Sequence, residues 1–520
     1  MAPRPVALNR GAMIRGWPGR SAALALAAFL LAPLIAILWR AGGFGSLSTA
    51  DWPALRFTLL QAVLSALCSA ALAVPVARAL ARRRFGLRGA YIALMGAPFI
   101  LPVIVAVIGF IAVFGRAGLL NSGLALIGVA PVSIYGLHGV VLAHVFFNLP
   151  LSVRLILQGW QAIPAERFRL VALLGADSAS AQRLLEWPML RQVLPGVIAV
   201  VFAICLTSFA VALTLGGGPR ATTIELAIYQ AFRFDFDLGR AASLSLVQFA
   251  LVTLAGLAAL KFGTLGGPGA GFDRPVARWD LTGRGLRLAD ALWLGLAALF
   301  LLGPLAAVIA RGLTGLTHLG AAVWQAAMVS LALALAATGL TLILALTIAT
   351  ARRGWVELVG MAPLAASPLV LGTGLFLLIH PLARPADWAL VVTLTVNAAM
   401  ALPFALRILT PVIAGIETDY GRLADQLNLQ GWTRLRWLIL PRARPALGFA
   451  AGLTAALSMG DLGVITLFAD PERATLPLMV WRLMGAYQMQ AAAGAALLLL
   501  ILSFALFALF DLGGRRHADP

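Results

Sequence analysis

ERFRLVALLGADSASAQRLLEWP, residues 166–188, is a charged, helix-like stretch in a chain that is otherwise mostly apolar. A related stretch, DYGRLADQLNLQGWTRLRWLILP, occupies 419–441. In the first, Ile163-Pro164-Ala165-Glu166 sets an acid beside a helix start, where the helix dipole favours negative charge. Leu170, Leu173 and Leu174 follow at i, i+3 and i+4, an apolar stripe along one side. Gly175 then supplies a helix stop or a bend. A second, basic helix is expected to lead through Pro188 into an apolar run.

The two stretches align at a single offset of 253. Pro150 falls on Pro403, Arg154 on Arg407, Glu166 on Asp419, and Arg169-Leu170 on Arg422-Leu423. Arg183 falls on Arg436, Pro188 on Pro441, and Arg220-Ala221-Thr222 on Arg473-Ala474-Thr475. Matches of Leu and Ala arise cheaply in such a chain. Matches of Pro, Arg and acid at one offset do not. Upstream the register drifts, since Arg83-Arg84 and Arg352-Arg353 are 269 apart, so a loop differs in length there. Two positions depart from the repeat: Glu166 becomes Asp419, and Gly175 becomes Asn428. Asn is the non-glycine residue that best tolerates left-handed backbone, so the bend is expected to survive in the second copy.

Of 520 residues, 61% are hydrophobic and 11% charged; the mean hydropathy is +0.95. Soluble chains run at about 45–50% apolar and about 25% charged. The contrast points to an integral membrane protein. Strict period-2 alternation is absent, which argues against a transmembrane β-barrel, and the Leu/Ala-rich runs favour helix. Twelve spans are expected: 21–39, 57–77, 90–115, 132–153, 195–215, 241–260, 291–310, 322–350, 358–380, 388–406, 445–469 and 491–510. The first, SAALALAAFLLAPLIAILW (21–39), is longer than a signal-peptide core and reads as a retained span. The fold class is therefore all-α and polytopic.

The net charge of +19 is nearly all arginine and sits between the apolar runs, the pattern of cytoplasmic loops rather than of nucleic-acid binding. With the N-terminus in the cytoplasm, the Arg-rich loops all face inward, and the outer loops carry Glu225, Asp235, Asp237, Asp387, Asp470 and Glu472. Both opening stretches then lie in the cytoplasm, as do both termini. Each half has an even number of spans, so the halves form parallel six-helix repeats. The expected organisation is 1–52 for the N-terminus and first span, 53–262 for the first repeated domain and 263–290 for a Gly-rich cytoplasmic linker. A seventh span at 291–320 and the second repeated domain at 321–520 complete it.

An acid, a Gly nine residues on and a Pro thirteen beyond that resemble the EAA loop of ATP-binding cassette (ABC) importer permeases, whose repeated unit is the MetI-like domain. The resemblance implies that each loop docks into an ATPase subunit. The residues it implicates are Glu166, Arg169, Leu170, Gly175 and Pro188 in one loop, and Asp419, Arg422, Leu423, Asn428 and Pro441 in the other. It further implies two copies of the ATPase, a periplasmic binding protein and a bacterial inner membrane. ATP and magnesium would sit on the ATPase, with no cofactor on this chain. In keeping with that, the phosphate-cradling pattern Gly-x4-Gly-Lys-Ser/Thr occurs nowhere in the sequence. More specifically, LGGGPRATTIELAIYQAFRFDFDLGRAA (215–242), HVFFNLP (144–150), LLEWPMLR (184–191) and LSMGDLGVITLF (457–468) look like the thiamine/thiamine pyrophosphate permeases. Thiamine and its phosphate esters are the cargo this implies. Fused permeases for ferric iron share the EAA spacing, which does not separate the two.

Asp461 is the only acid inside an expected span, and it aligns with Ser208. An intramembrane carboxylate suggests function, and it could steady a thiazolium cation in passage. A capping or interhelical contact is the other reading. Ser208 and Asp461 are thus candidate path residues. Gly216-Gly217-Gly218-Pro219 reads as an outer gate or a plain turn. Tyr229, Phe232, Phe234 and Phe236 read as an aromatic belt. Cys68 and Cys205 read as packing residues inside apolar runs. An ion-driven transporter would need conspicuous intramembrane charges, and an enzyme would need a convergent set of nucleophile, base or metal ligands. The sequence offers a single candidate for the first, Asp461, which leaves an ion-driven transporter as the less favoured alternative, and no such set for the second.

Overall fold

The computed structural model describes residues 17–41, 49, 51–96, 100–175, 177–216, 218, 221–262, 283–351, 353–468 and 474–515. Among these residues every regular element is helical. Eleven helices are long and apolar enough to cross a bilayer, or twelve when Gly354–Ala365 and Pro368–Ile379, bent by 94°, count as one broken span. The chain is an all-α, multi-pass membrane protein.

Helix α1 is Trp17–Ala41. The first repeat follows as α2 (Asp51–Arg82), α3 (Arg88–Leu94), α4 (Val103–Phe114), α5 (Leu119–Leu126), α6 (Leu137–Gln161) and α7 (Ala165–Leu173). It continues as α8 (Ser178–Ala181), α9 (Trp187–Leu206), α10 (Phe209–Leu215), α11 (Ile224–Arg233) and α12 (Leu238–Phe262). Most of the expected linker, 263–282, lies outside the described residues, and α13 (Arg284–Gly315) begins before the linker was expected to end. The second repeat comprises α14 (Ala321–Ala351), α15 (Gly354–Met361), α16 (Pro368–Ile379), α17 (Ala389–Gln426), α18 (Gly431–Arg434) and α19 (Leu440–Arg442). It ends with α20 (Arg444–Met459), α21 (Gly463–Phe468), α22 (Leu476–Gly485) and α23 (Met489–Arg515).

The chain divides into two compact units. The larger holds Leu38–Val323 and Pro477–Leu500. Within it α13 packs on the first repeat. A Cβ at Gly109 of α4 would meet the Pro304 carbonyl oxygen of α13 at 2.5 Å, so only glycine permits that approach. Close crossing over small residues is how helices associate where lipid removes the hydrophobic drive. Phe300 sets its edge against Phe110 and Phe146, and the Tyr91 hydroxyl donates to the Leu294 carbonyl at 2.9 Å. Arg82 and Arg83 both donate to the buried Asp290 carboxylate. Charge pairing is what makes such burial tolerable. The Thr58 hydroxyl donates to Ala54 O at 2.7 Å and accepts from Ile224 N at 2.9 Å, fastening the start of α11 to α2. Thr58→Val keeps the shape but strands that N–H. The expected loss is about 1–3 kcal/mol, read as a lowered unfolding midpoint of the detergent-solubilised protein.

The second unit holds Met1–Ile37, Trp324–Leu476 and Ile501–Pro520. Here α1 packs on α16: a Cβ at Gly374 would lie 2.5 Å from the Pro33 carbonyl oxygen. Gly448 of α20 and Gly514 of α23 make a comparable backbone approach. Leu476 N donates to Ser330 Oγ at 2.7 Å, tying the start of α22 to α14.

Four expected spans are not continuous; one of them, 358–380, is the pair Gly354–Ala365 and Pro368–Ile379 bent by 94°. The run 90–115 breaks between α3 and α4, where Pro102 forms the N-cap of α4 with an extended ψ of 134°. The run 195–215 breaks at Thr207-Ser208, and 445–469 breaks at Gly460–Leu462. Hydropathy does not register these breaks, because the residues on either side are equally apolar. Cys205 is buried as expected, but Cys68 is exposed on α2, so it is not a core residue.

Candidate functional site

In the first loop, Pro164 ends the preceding helix and caps α7. Proline disfavours helical backbone in the residue before it, so α6 stops and α7 starts afresh. Glu166 lies in the first turn of α7. Phe168 and Val171 are buried, while Glu166, Arg169, Leu170, Leu173 and Leu174 face outward. Gly175 then adopts a left-handed φ of +67°. Asp177 accepts from Ser180 N at 2.9 Å and caps α8. That bonding to Ser180 holds its carboxyl below the usual carboxylate range. A π-helical turn covers Gln182–Glu186, and Trp187-Pro188 opens α9.

In the second loop, position 417 carries Glu where the first copy has Pro164. No proline interrupts it there, and α17 runs unbroken to Gln426. The expectation of a separate short helix therefore holds for the first copy alone. The rest repeats closely. Asp419, Arg422, Leu423 and Leu427 are exposed, and Gly421 and Ala424 are buried. Asn428 adopts a left-handed φ of +50°, so the bend survives the loss of glycine. The π turn recurs at Leu435–Ile439, again 253 residues on, and Pro441 opens the turn that follows, as Pro188 does.

Among the described residues nothing covers the apolar stripe of these loops. Leu170 is 58% exposed and Leu174 75%, and their counterparts Leu423 and Leu427 are 52% and 62% exposed. What holds each loop differs. In the first, Arg78 pairs with the buried Glu186 at 2.8 Å and donates to Gln182 Oε1 at 3.1 Å. In the second, Arg434 stands where the first has Ala181, and donates to Glu417 and Asp425. Hydrogen bonding to Glu417 pushes the Arg434 pKa up, which fixes its charge.

The candidate path residues Ser208 and Asp461 sit at the two helix breaks, one in each unit. Each meets a polar residue that the sequence reading did not single out. Ser208 Oγ lies 2.7 Å from His144 Nε2, and His144 Nδ1 lies 3.3 Å from Ser65 Oγ. Asn397 orients its amide to donate to Asp461 Oδ2 at 3.2 Å and to Thr393 O at 3.3 Å, and to accept from Ser458 Oγ at 3.1 Å. Asn397 is 253 residues after His144, and Ser458 is 253 after Cys205. The same pair of positions thus carries His/Ser in one repeat and Asn/Asp in the other. The repeat offset, carried six residues upstream of Pro150, was the signal that marks them.

Of the aromatic belt, Tyr229 and Phe232 are buried instead, with Tyr229 edge-on to Phe209 and Phe234. One face of α11 is packed, which a belt reading overlooks. Only Phe234 and Phe236 are exposed. Within the glycine run, Gly218 has a φ of +125°, while Gly217 and Pro219 lie outside the described residues, as do Arg220, Asp470, Glu472 and Arg473.

No family model matches the chain. Curated relatives do. The thiamine transport system permease protein ThiP of Salmonella typhimurium is 40% identical over 542 aligned positions, covering 99% of this chain and 99% of that protein. The protein of the same name from Brucella abortus is 39% identical over 497, covering 92% and 91%. The molybdenum transport system permease protein ModB of Mycobacterium bovis is 32% identical over 256 residues, which are 46% of this chain but 91% of that protein. A relative matched almost entirely by less than half of this chain is consistent with a doubled permease module. By its likeness along nearly the whole length of the first two, the chain belongs to the family of thiamine transport system permease proteins.

Proposed function

We propose that this chain is the membrane subunit of a binding-protein-dependent ABC importer that carries thiamine, and its phosphate esters, across the bacterial inner membrane. The observation that carries the mechanism is the pair of exposed loops, each with an acid, an uncovered leucine stripe and a left-handed turn at matching positions. Exposed apolar stripes of this kind mark protein contacts. In this reading each loop docks one copy of an ATPase subunit, with both termini in the cytoplasm. ATP and magnesium belong to that subunit, and this chain binds neither. A periplasmic thiamine-binding protein delivers the cargo to the opposite face. ATP binding draws the ATPase copies together, and the loops pass that motion into the spans that flank them. The cargo rests on the names of the relatives.

The test is uptake of labelled thiamine into proteoliposomes that hold this chain, its ATPase and its binding protein, with ferric iron in parallel. Uptake of thiamine that needs both partners and ATP is the expected result. Uptake without the ATPase would overturn the docking role, and uptake of iron in place of thiamine would overturn the cargo.

A further inference from the structure

An acid within a membrane-spanning segment is expensive, and its partners show what it is kept for. Asp461 lies in the break between α20 and α21 and is partly exposed. Its Oδ1 accepts from Gly463 N at 3.2 Å, and its Oδ2 accepts from the Asn397 amide at 3.2 Å. Among the described residues no cationic side chain pairs with it. The arrangement is a carboxylate held by neutral donors alone, the Gly463 and Val464 backbone N–H groups at the start of α21 and the Asn397 amide, with no cationic side chain beside it among the described residues. The C-terminus of α20, a helix of 16 residues, ends at the same break and adds the negative end of its dipole. Asn397 is itself fixed by Ser458 and Thr393, so the carboxylate is presented in one orientation. At the corresponding positions of the other repeat, His144 and Ser208 satisfy one another without an acid. Capping does not require an acid at this position: at the corresponding break Ser208 is the N-cap residue of α10, and its side chain makes no cap hydrogen bond.

We propose that Asp461, positioned by Asn397, is the group that receives the positive charge of the cargo as it passes the break in α20–α21. This rests on the thiamine reading, since thiamine carries a permanent thiazolium charge. The ligand class is an organic cation that cannot shed its charge by losing a proton. A fixed carboxylate suits it: the two form an ion pair in a setting of low dielectric, where the attraction is far stronger than in water. The site holds the charge through a single contact, which leaves the cargo free to move on.

The test uses the complete importer in proteoliposomes, with labelled thiamine and a thiamine analogue whose thiazolium is replaced by neutral thiophene. Asp461→Asn keeps the capping bond to Gly463, because Asn caps as well as Asp, and removes the charge. Asp461→Ser installs the residue of the other repeat. Both variants are expected to lower kcat/KM for thiamine at least about tenfold, with uptake of the neutral analogue and stimulation of ATP hydrolysis unchanged. Asp461→Glu is expected to retain most of the thiamine uptake. Asp461→Asn that imports thiamine like the wild type would overturn the inference. Equal loss of the charged and neutral compounds would also overturn it, since that is the mark of a structural role. A wild-type importer that carries no thiamine would instead overturn the cargo reading, and with it this assignment.

Discussion

Alanine in place of Arg434 is expected to lower ATP-driven uptake at least about tenfold while leaving the protein able to insert and fold. Arg434 is only 4% exposed. Its Nε donates to Glu417 Oε1 at 3.0 Å, its Nη1 to Asp425 Oδ1 at 2.6 Å, and its Nη2 to Glu417 Oε2. The fork therefore joins the last turns of α17 to α18 across the left-handed turn at Asn428. Gly421 makes room for it: a Cβ there would lie 3.2 Å from Nη2 and 3.3 Å from Glu417 Oε2. Removing one partner of a buried pair leaves the other charge uncompensated, a loss of about 3–5 kcal/mol. Glu417 bears most of it, since Asp425 is more exposed and exposed pairs contribute little. The loss falls on the loop, because both carboxylates are within it or just before it. Arg434→Lys is expected to restore part of the uptake, since it returns the charge without the two-pronged geometry. Retention of the ATPase on an affinity column, measured beside uptake, locates the defect. Wild-type uptake by Arg434→Ala would show that the clamp does not position the second loop.

Valine in place of Gly175 is expected to impair the first loop in a different way. At φ +67° a residue with a β-carbon is strained by roughly 1–2 kcal/mol, and a β-branched one by more. No atom lies within 4 Å of the Cβ position, so the effect is one of backbone alone. The turn would open and swing Leu170 and Leu174 away from their present direction. Uptake is expected to fall by about tenfold or more, the equivalent of 1.4 kcal/mol. Gly175→Asn is the control. Asn428 already holds the left-handed conformation in the second copy, so Gly175→Asn is expected to keep most of the activity. Equal uptake by the valine and asparagine variants would show that the left-handed turn is not needed for coupling.

Much of the loop geometry was legible because it is local. The acid near a helix start, the leucine spacing and the turn residue are set by a few neighbours in sequence, and the offset of 253 carries them from one copy to the next. The difference between the copies was also present in the sequence, as Pro164 against Glu417. It is a single substitution amid matching neighbours, and its effect on the backbone comes from proline alone. The helix breaks were not legible. Ser208 and Asp461 read as residues within continuous spans, and the residues that meet them, His144 and Asn397, are 64 residues away from each in the chain.

The sequence by itself determined the membrane class, the helical spans, the doubled architecture and the exposed character of the two loops. These follow from composition, periodicity and short-range spacing, which act through solvent preference and local backbone sterics. Tertiary structure alone decided where spans break and which polar groups answer one another across helices. It also decided that Arg78–Glu186 fastens one loop while Arg434–Glu417 fastens the other. The physical reason is that inside a membrane a polar side chain must find its partner on another helix, and a linear apolar run does not specify which residue that helix will present.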